Sequence, residues 1–137
     1  MNRKRELTPV EWEIMEAVWE LGGSPTVRDV LEHAYPDGAK AYTTVQTIMN
    51  TLERKKLLRR RKRGPVNFYT ARRKRESVVR AEMSSLLSRG FNGSVVALAS
   101  TLLSLDHLDP DEIKRLKQLI DQKEKELREK GEVGGKR

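Results

Sequence analysis

Apolar residues recur every three to four positions over most of this chain, a pattern that predicts helices with one interruption. Val10, Ile14, Val18 and Leu21 fall on one helical face, widened by Trp12, Met15 and Trp19, and Gly22-Gly23 ends the run. The start is marked by Thr8 as N-cap, Pro9 in the first helical position and Glu11 completing a capping box. Thr26 with Asp29 opens a second, short helix bearing Val27, Val30, Leu31 and Ala34, closed by the turn residues Tyr35-Pro36-Asp37-Gly38. A third helix is expected from about Tyr42 to about Lys55, with Val45, Ile48, Met49 and Leu52 on its apolar face.

The period then changes. Leu57-Leu58 begins a basic strand, Lys62-Arg63-Gly64-Pro65 supplies a turn, and Val66-Asn67-Phe68-Tyr69-Thr70 is rich in β-formers, which together predict one hairpin. Helical spacing returns from Arg72, in a long segment with Val78, Val79, Met83, Leu86 and Leu87 that breaks at Gly90. Asn92-Gly93-Ser94 opens the next helix, with Val95, Val96, Leu98, Ala99, Leu102 and Leu103. Asp109-Pro110-Asp111-Glu112 opens the last, with Ile113, Leu116, Leu119, Ile120 and Leu127. The helices beyond residue 75 have wide apolar faces and no evident way to close a core alone, so pairing with a second copy is expected to cover them. Leu127 lies far along the last helix, where little else in one chain can reach it.

Charge sharpens this picture. Twelve cations and no carboxylate lie between Arg54 and Arg75, so the rest of the chain nets −4 against +8 for all 137 residues. Basicity is therefore local to the end of the third helix, the hairpin and the start of the fourth helix. Such a block repels itself, and lying on phosphates explains it better than solubility does. The second and third helices, joined by a short connection, read as a helix-turn-helix, which lays its second helix in the major groove. The outer face of the third helix suits that use: Thr43, Gln46, Thr47, Asn50 and Arg54 are short, uncharged or cationic. Threonine methyls meet thymine methyls, Gln46 and Asn50 pair with base edges, and Arg54 reaches a phosphate or guanine. Tyr42, Thr43 and the helix N-terminus would set the register on phosphates.

Other chemistry has little support. The absence of cysteine removes disulfides, thiolate metal sites and cysteine nucleophiles. His33 and His107 sit in no metal-ligand spacing and read as surface or capping residues, and no phosphate loop or serine–histidine motif occurs, so no enzyme, metal or cofactor is expected. The basic N-terminus lacks a following apolar run, and no segment approaches the roughly 20 apolar residues of a membrane span, so a soluble, cytoplasmic protein is expected. A basic RNA- or ribosome-associated protein that uses the same patch without reading sequence is the alternative, and a membrane-surface protein a weaker third.

Several stretches resemble the penicillinase-repressor family, winged-helix repressors of β-lactamase, methicillin-resistance and copper-transport genes. They are Leu7-Thr8-Pro9-Val10-Glu11-Trp12-Glu13-Ile14-Met15 with Val18-Trp19, Thr26-Val27-Arg28-Asp29-Val30, Ala41 to Leu52, Gly64 and Tyr69, Phe91-Asn92-Gly93-Ser94, and Asp111-Glu112-Ile113. The pattern of elements sets a boundary near residue 75, and the Gly- and Lys-rich composition of 131–137 makes that stretch a disordered tail. With the resemblance, the expected fold is mainly α with a small β-hairpin: a winged helix-turn-helix domain over 1–75 and a helical dimerisation domain over 76–130. The resemblance implies a homodimer on palindromic operator DNA that represses transcription, with a membrane sensor or protease system acting upstream. Recognition would fall to Tyr42, Thr43, Thr44, Gln46, Thr47 and Asn50, and wing contacts to phosphate to Arg61, Lys62 and Arg63. The dimer interface would include Val95, Leu98, Leu102, Ile113, Leu116, Ile120 and Leu127.

Three departures stand out. Thiolate copper sensing, used in one branch of the family, is excluded by the lack of cysteine. The antibiotic-responsive branch is inactivated by cleavage at an Asn-Phe bond, and the corresponding stretch here reads Ser100-Thr101-Leu102-Leu103. The third helix begins Ala41-Tyr42-Thr43 where many relatives carry Ser-Pro-Lys, which implies a different operator sequence.

Overall fold

The computed structural model describes residues 6–133, which form six helices and one hairpin among them. In order these are α1 (Pro9–Leu21), α2 (Val27–Ala34), α3 (Tyr42–Arg54), β1 (Leu58–Arg63), β2 (Val66–Ala71), α4 (Arg75–Phe91), α5 (Val95–Leu103) and α6 (Pro110–Val133). The fold is mainly helical with a small antiparallel hairpin, and its first five elements have the order and packing of a winged helix.

Local chemistry sets the helix starts. Thr8 Oγ1 accepts from the Glu11 N–H while Glu11 Oε1 accepts from the Thr8 N–H, and Thr26 and Asp29 repeat the arrangement at α2. Ile14, Met15 and Val18 of α1, Val30 of α2, Val45, Met49 and Leu52 of α3, and Leu58 and Tyr69 of the hairpin meet in one core with essentially no exposure. Burying an aliphatic side chain of this size stabilises the fold by about 1.5–3 kcal/mol, so this cluster holds the first part of the chain together.

The hairpin closes on Gly64-Pro65, with Arg63 paired to Val66. Gly64 has φ of +60°, which glycine adopts freely and a two-residue hairpin turn requires. The turn is thus tighter than the four residues expected, and Lys62 and Arg63 lie in the strand. On its other edge β2 meets the α1–α2 connection, through Tyr69 N–H donating to Pro25 O and a bridge between Thr26 and Phe68. The α2–α3 connection runs over 35–41, longer than the short turn expected, with Gly38 at φ +82° and Asp37 Oδ1 accepting from the Ala39 N–H.

The chain divides into two compact units that meet within α4, at Leu86 and Leu87. The division falls inside α4 and not near residue 75, because Val78 is buried in the core of the first unit. α4 ends at Phe91, followed by Asn92 and Gly93 at positive φ. α6 continues through Gly131 to Val133, past the point where a disordered tail is expected; residues 134–137 lie outside the described part. No single described helix is long and apolar enough to cross a membrane; only α4 and α5 taken together pass that test, and the break at 92–94 bends them sharply.

Candidate nucleic-acid interface

The start of α3 differs from the other capped helices. Thr8, Thr26, Ser94 and Asp109 each accept a backbone N–H at their helix starts, whereas Ala41 offers α3 no side-chain cap, and its first turn holds no carboxylate. Backbone donors and the positive end of the helix dipole therefore face outward there. Tyr42, Thr43, Thr44, Thr47 and Arg54 are exposed, and Gln46 and Asn50 are half-buried. Arg28 of α2 lies over the Tyr42 ring, 5.1 Å from its centroid, adding a cation beside this helix end that the charge block does not include. Its place in the first turn of α2, beside the crossing to α3, is the signal that would have found it.

At the other end α3 is tied to the hairpin. Asn50 points away from the apolar face, yet β2 returns over it, and Tyr69 Oη donates to Asn50 Oδ1 at 2.7 Å. Arg60 Nη1 approaches the same oxygen at 3.5 Å, and Arg60 Nε lies 3.6 Å from Glu53 Oε1. Burial pushes the Tyr69 phenol above its ordinary range, with Arg60 opposing, so Tyr69 is a neutral donor here. Asn50 is thus engaged within the protein through its carbonyl.

The three wing cations do not share a face. Side chains alternate along a strand, so Arg59, Arg61 and Arg63 point to one side and Arg60 and Lys62 to the other. All five are exposed, and Arg63 lies over the Phe68 ring at 5.9 Å.

The twelve-cation block is also not uniformly free. Lys55 Nζ binds Glu11 Oε1 at 2.8 Å and Glu6 O at 2.9 Å, at the inner end of α3. Arg75 pairs with Glu16 at 2.9 Å, and Arg73 donates to Ser77 Oγ at 2.7 Å. Arg54 folds back onto Thr51 Oγ1 at 3.0 Å, and Thr51 itself donates to the Thr47 carbonyl.

In the second unit the expected interface residues lie along α5 and α6. Val95, Ile120 and Leu127 are 64%, 64% and 57% exposed, Leu102 and Leu116 are exposed, and Leu98 and Ile113 are half-buried. Ser100 to Leu103 form the last turn of α5. His33 Nε2 lies 2.8 Å from Glu20 Oε1 at the surface, and no group of three metal-ligating side chains occurs among the described residues.

Residues 7–122 match the penicillinase repressor family model. The chain belongs to the penicillinase repressor family. It is a DNA-binding transcriptional repressor and not an enzyme. It is similar to the penicillinase repressor of Bacillus licheniformis, 25% identical over 122 residues that cover 89% of this chain and 94% of that protein. It is also similar to the methicillin resistance regulatory protein MecI of Staphylococcus aureus strain N315, at 19% identity covering 89% and 98% of the two chains. A solved structure described as a mechanism for regulation of DNA binding of Bordetella bronchiseptica BpsR by 6-hydroxynicotinic acid matches 88% of this chain and 76% of that one. That likeness, at 19% identity and a TM-score of 0.43, is too loose to bear on function.

Proposed function

We propose that this repressor binds palindromic operator DNA as a homodimer, with α3 in the major groove and the hairpin along the flanking phosphates. The observation that carries the reading is the uncapped, carboxylate-free start of α3, where Tyr42, Thr43, Thr44 and Thr47 are exposed beside a strand of five exposed cations. Backbone N–H groups at such a helix end, with Tyr42 and Thr43, hold a phosphate and set the register. Thr44, Gln46, Thr47, Asn50 and Arg54 then face base edges or the adjoining backbone. Arg61, Lys62 and Arg63 neutralise phosphates, two from one face of the hairpin and one from the other.

The homodimer is supported by the apolar faces of α5 and α6. Ile113, Leu116, Ile120 and Leu127 repeat at spacings of three, four and seven along α6, with Val95, Leu98 and Leu102 on α5, and an α-helix in water requires such a stripe to be covered. A second copy of the same stripe is self-complementary under two-fold symmetry, which matches a palindrome. A cytoplasmic location and release by an upstream membrane sensor or protease system belong to this reading through the family alone.

Selection of bound duplexes from a random pool tests it. The expected result is a dyad-symmetric consensus whose half-sites are separated by one helical turn, roughly 34 Å, or a multiple of it. Recovery of no consensus, or of a single unsymmetric site, would overturn the reading.

A further inference from the structure

The leading end of α3 takes its cation from another helix. Tyr42, Thr43 and Thr44, its first turn, carry no charge of their own. Lys40, just before the helix, lies instead over the Tyr35 ring, 5.6 Å from its centroid. Arg28, exposed in the first turn of α2, sets its guanidinium carbon 5.1 Å from the centroid of the Tyr42 ring. Among the described residues no carboxylate pairs with it; Asp29, next along α2, gives Oδ2 to the Thr26 N–H.

A guanidinium resting on a ring still has N–H donors for a second partner, and the ring restricts a side chain that is otherwise costly to order. Its planar fork matches two oxygens of a phosphate. The hairpin cations belong to the other end of α3, where Tyr69 bonds Asn50 and Arg60 approaches Glu53. A helix of 13 residues sets its first and last residues about 18 Å apart. We propose that Arg28 binds a DNA phosphate at the start of α3, with Tyr42 as the positioning residue whose ring, not its hydroxyl, holds the guanidinium in place. The inference rests on the reading that α3 lies in the major groove. Two phosphate anchors, the hairpin at one end and Arg28 at the other, then fix α3 lengthwise in the groove, and neither reads sequence.

The test is equilibrium binding at several salt concentrations, on the duplex selected by the wild-type chain and on a scrambled duplex of equal length. Arg28→Ala is made in the wild-type, Tyr42→Phe and Tyr42→Leu backgrounds. In the wild type it should weaken both duplexes by a similar factor, about three to ten, and reduce the slope of log affinity against log salt by about one. Tyr42→Phe keeps the ring and should leave that factor unchanged, whereas Tyr42→Leu should shrink it to below about twofold. The change of slope separates a phosphate contact from a structural role, and dependence on the ring separates it from charge acting at a distance. Unchanged affinity and slope in Arg28→Ala, a loss confined to the selected duplex, or an equal loss in the Tyr42→Leu background would overturn the proposal. Gln46→Ala run alongside keeps the two readings apart. If it still relaxes preference for the selected duplex while Arg28→Ala has no effect, α3 reads the groove and the anchor fails; a wild-type chain with equal affinity for both duplexes fails both. Arg28 and Tyr42 are exposed, and Arg28→Lys covers the case in which Arg28→Ala does not fold. It keeps the charge but loses the planar fork, so it should retain the salt slope and lose part of the affinity on both duplexes. Full wild-type affinity in Arg28→Lys would overturn the proposal.

Discussion

Lys55, the residue after the last turn of α3, places its ammonium 2.8 Å from Oε1 of Glu11 in the first turn of α1. Both side chains are largely withdrawn from water, at 17% and 8% exposure, and the same carboxylate oxygen accepts the Thr8 N–H. Removing one partner of a buried pair leaves an uncompensated charge and costs about 3–5 kcal/mol. Because Lys55 keeps some contact with water, Glu11→Ala is expected to destabilise the first unit by about 3 kcal/mol. Glu11→Ala with Lys55→Met should recover part of that loss. Urea unfolding of the single and double variants checks this, and a loss below about 0.5 kcal/mol in Glu11→Ala would contradict it.

Gln46 and Arg61 should separate specificity from general affinity. Gln46→Ala is expected to cost about 1–3 kcal/mol on operator and little on random duplex, as a lost base contact does. Arg61→Ala should weaken both by similar factors and reduce the slope of log affinity against log salt by about one. Competition titrations at two or more salt concentrations distinguish these patterns.

Pairing through α6 predicts sensitivity to charge there. Ile120 is 64% exposed in one chain, so a charged residue at that position does little to a lone copy. Facing its symmetry mate it would be desolvated. Ile120→Glu should therefore raise the dimer dissociation constant by about thirtyfold or more while leaving the first unit folded. Sedimentation equilibrium measures this, and an unchanged association state would place the interface elsewhere.

Alkaline pH should weaken the fold through two tyrosines. Tyr35 Oη donates to Glu13 Oε1 at 2.6 Å, and burial together with this carboxylate raises its phenol well above the ordinary value of 10.0. Burial raises Tyr69 in the same direction. A pKa higher in the folded than in the unfolded state gives stability that is intact below pH 10 and declines as pH climbs above it. Unfolding free energies measured from about pH 8 to 11 should fall above 10, and less steeply in Tyr35→Phe.

Much of this arrangement was legible in the residues themselves. Thr8 with Glu11, and Thr26 with Asp29, fixed two helix starts because capping is local, and the change of period at Leu57 marked the hairpin. What could not be read depends on contacts between distant positions. Lys55 looked like one more phosphate-facing cation because its partner Glu11 is 44 residues away. Asn50 looked free because helical periodicity says nothing of a strand that returns over the helix. Arg61, Lys62 and Arg63 looked like one group until the two-residue turn at Gly64-Pro65 placed them in a strand with alternating faces.

In the proposed binding mode α3 reads sequence while the hairpin supplies affinity without it. Equilibrium binding of the purified chain to its selected duplex and to a scrambled duplex of equal length, at physiological salt, tests it most directly. The expected result is operator binding tighter by about 10³ or more, with both affinities falling as salt rises. Equal affinity for the two duplexes would contradict the claim.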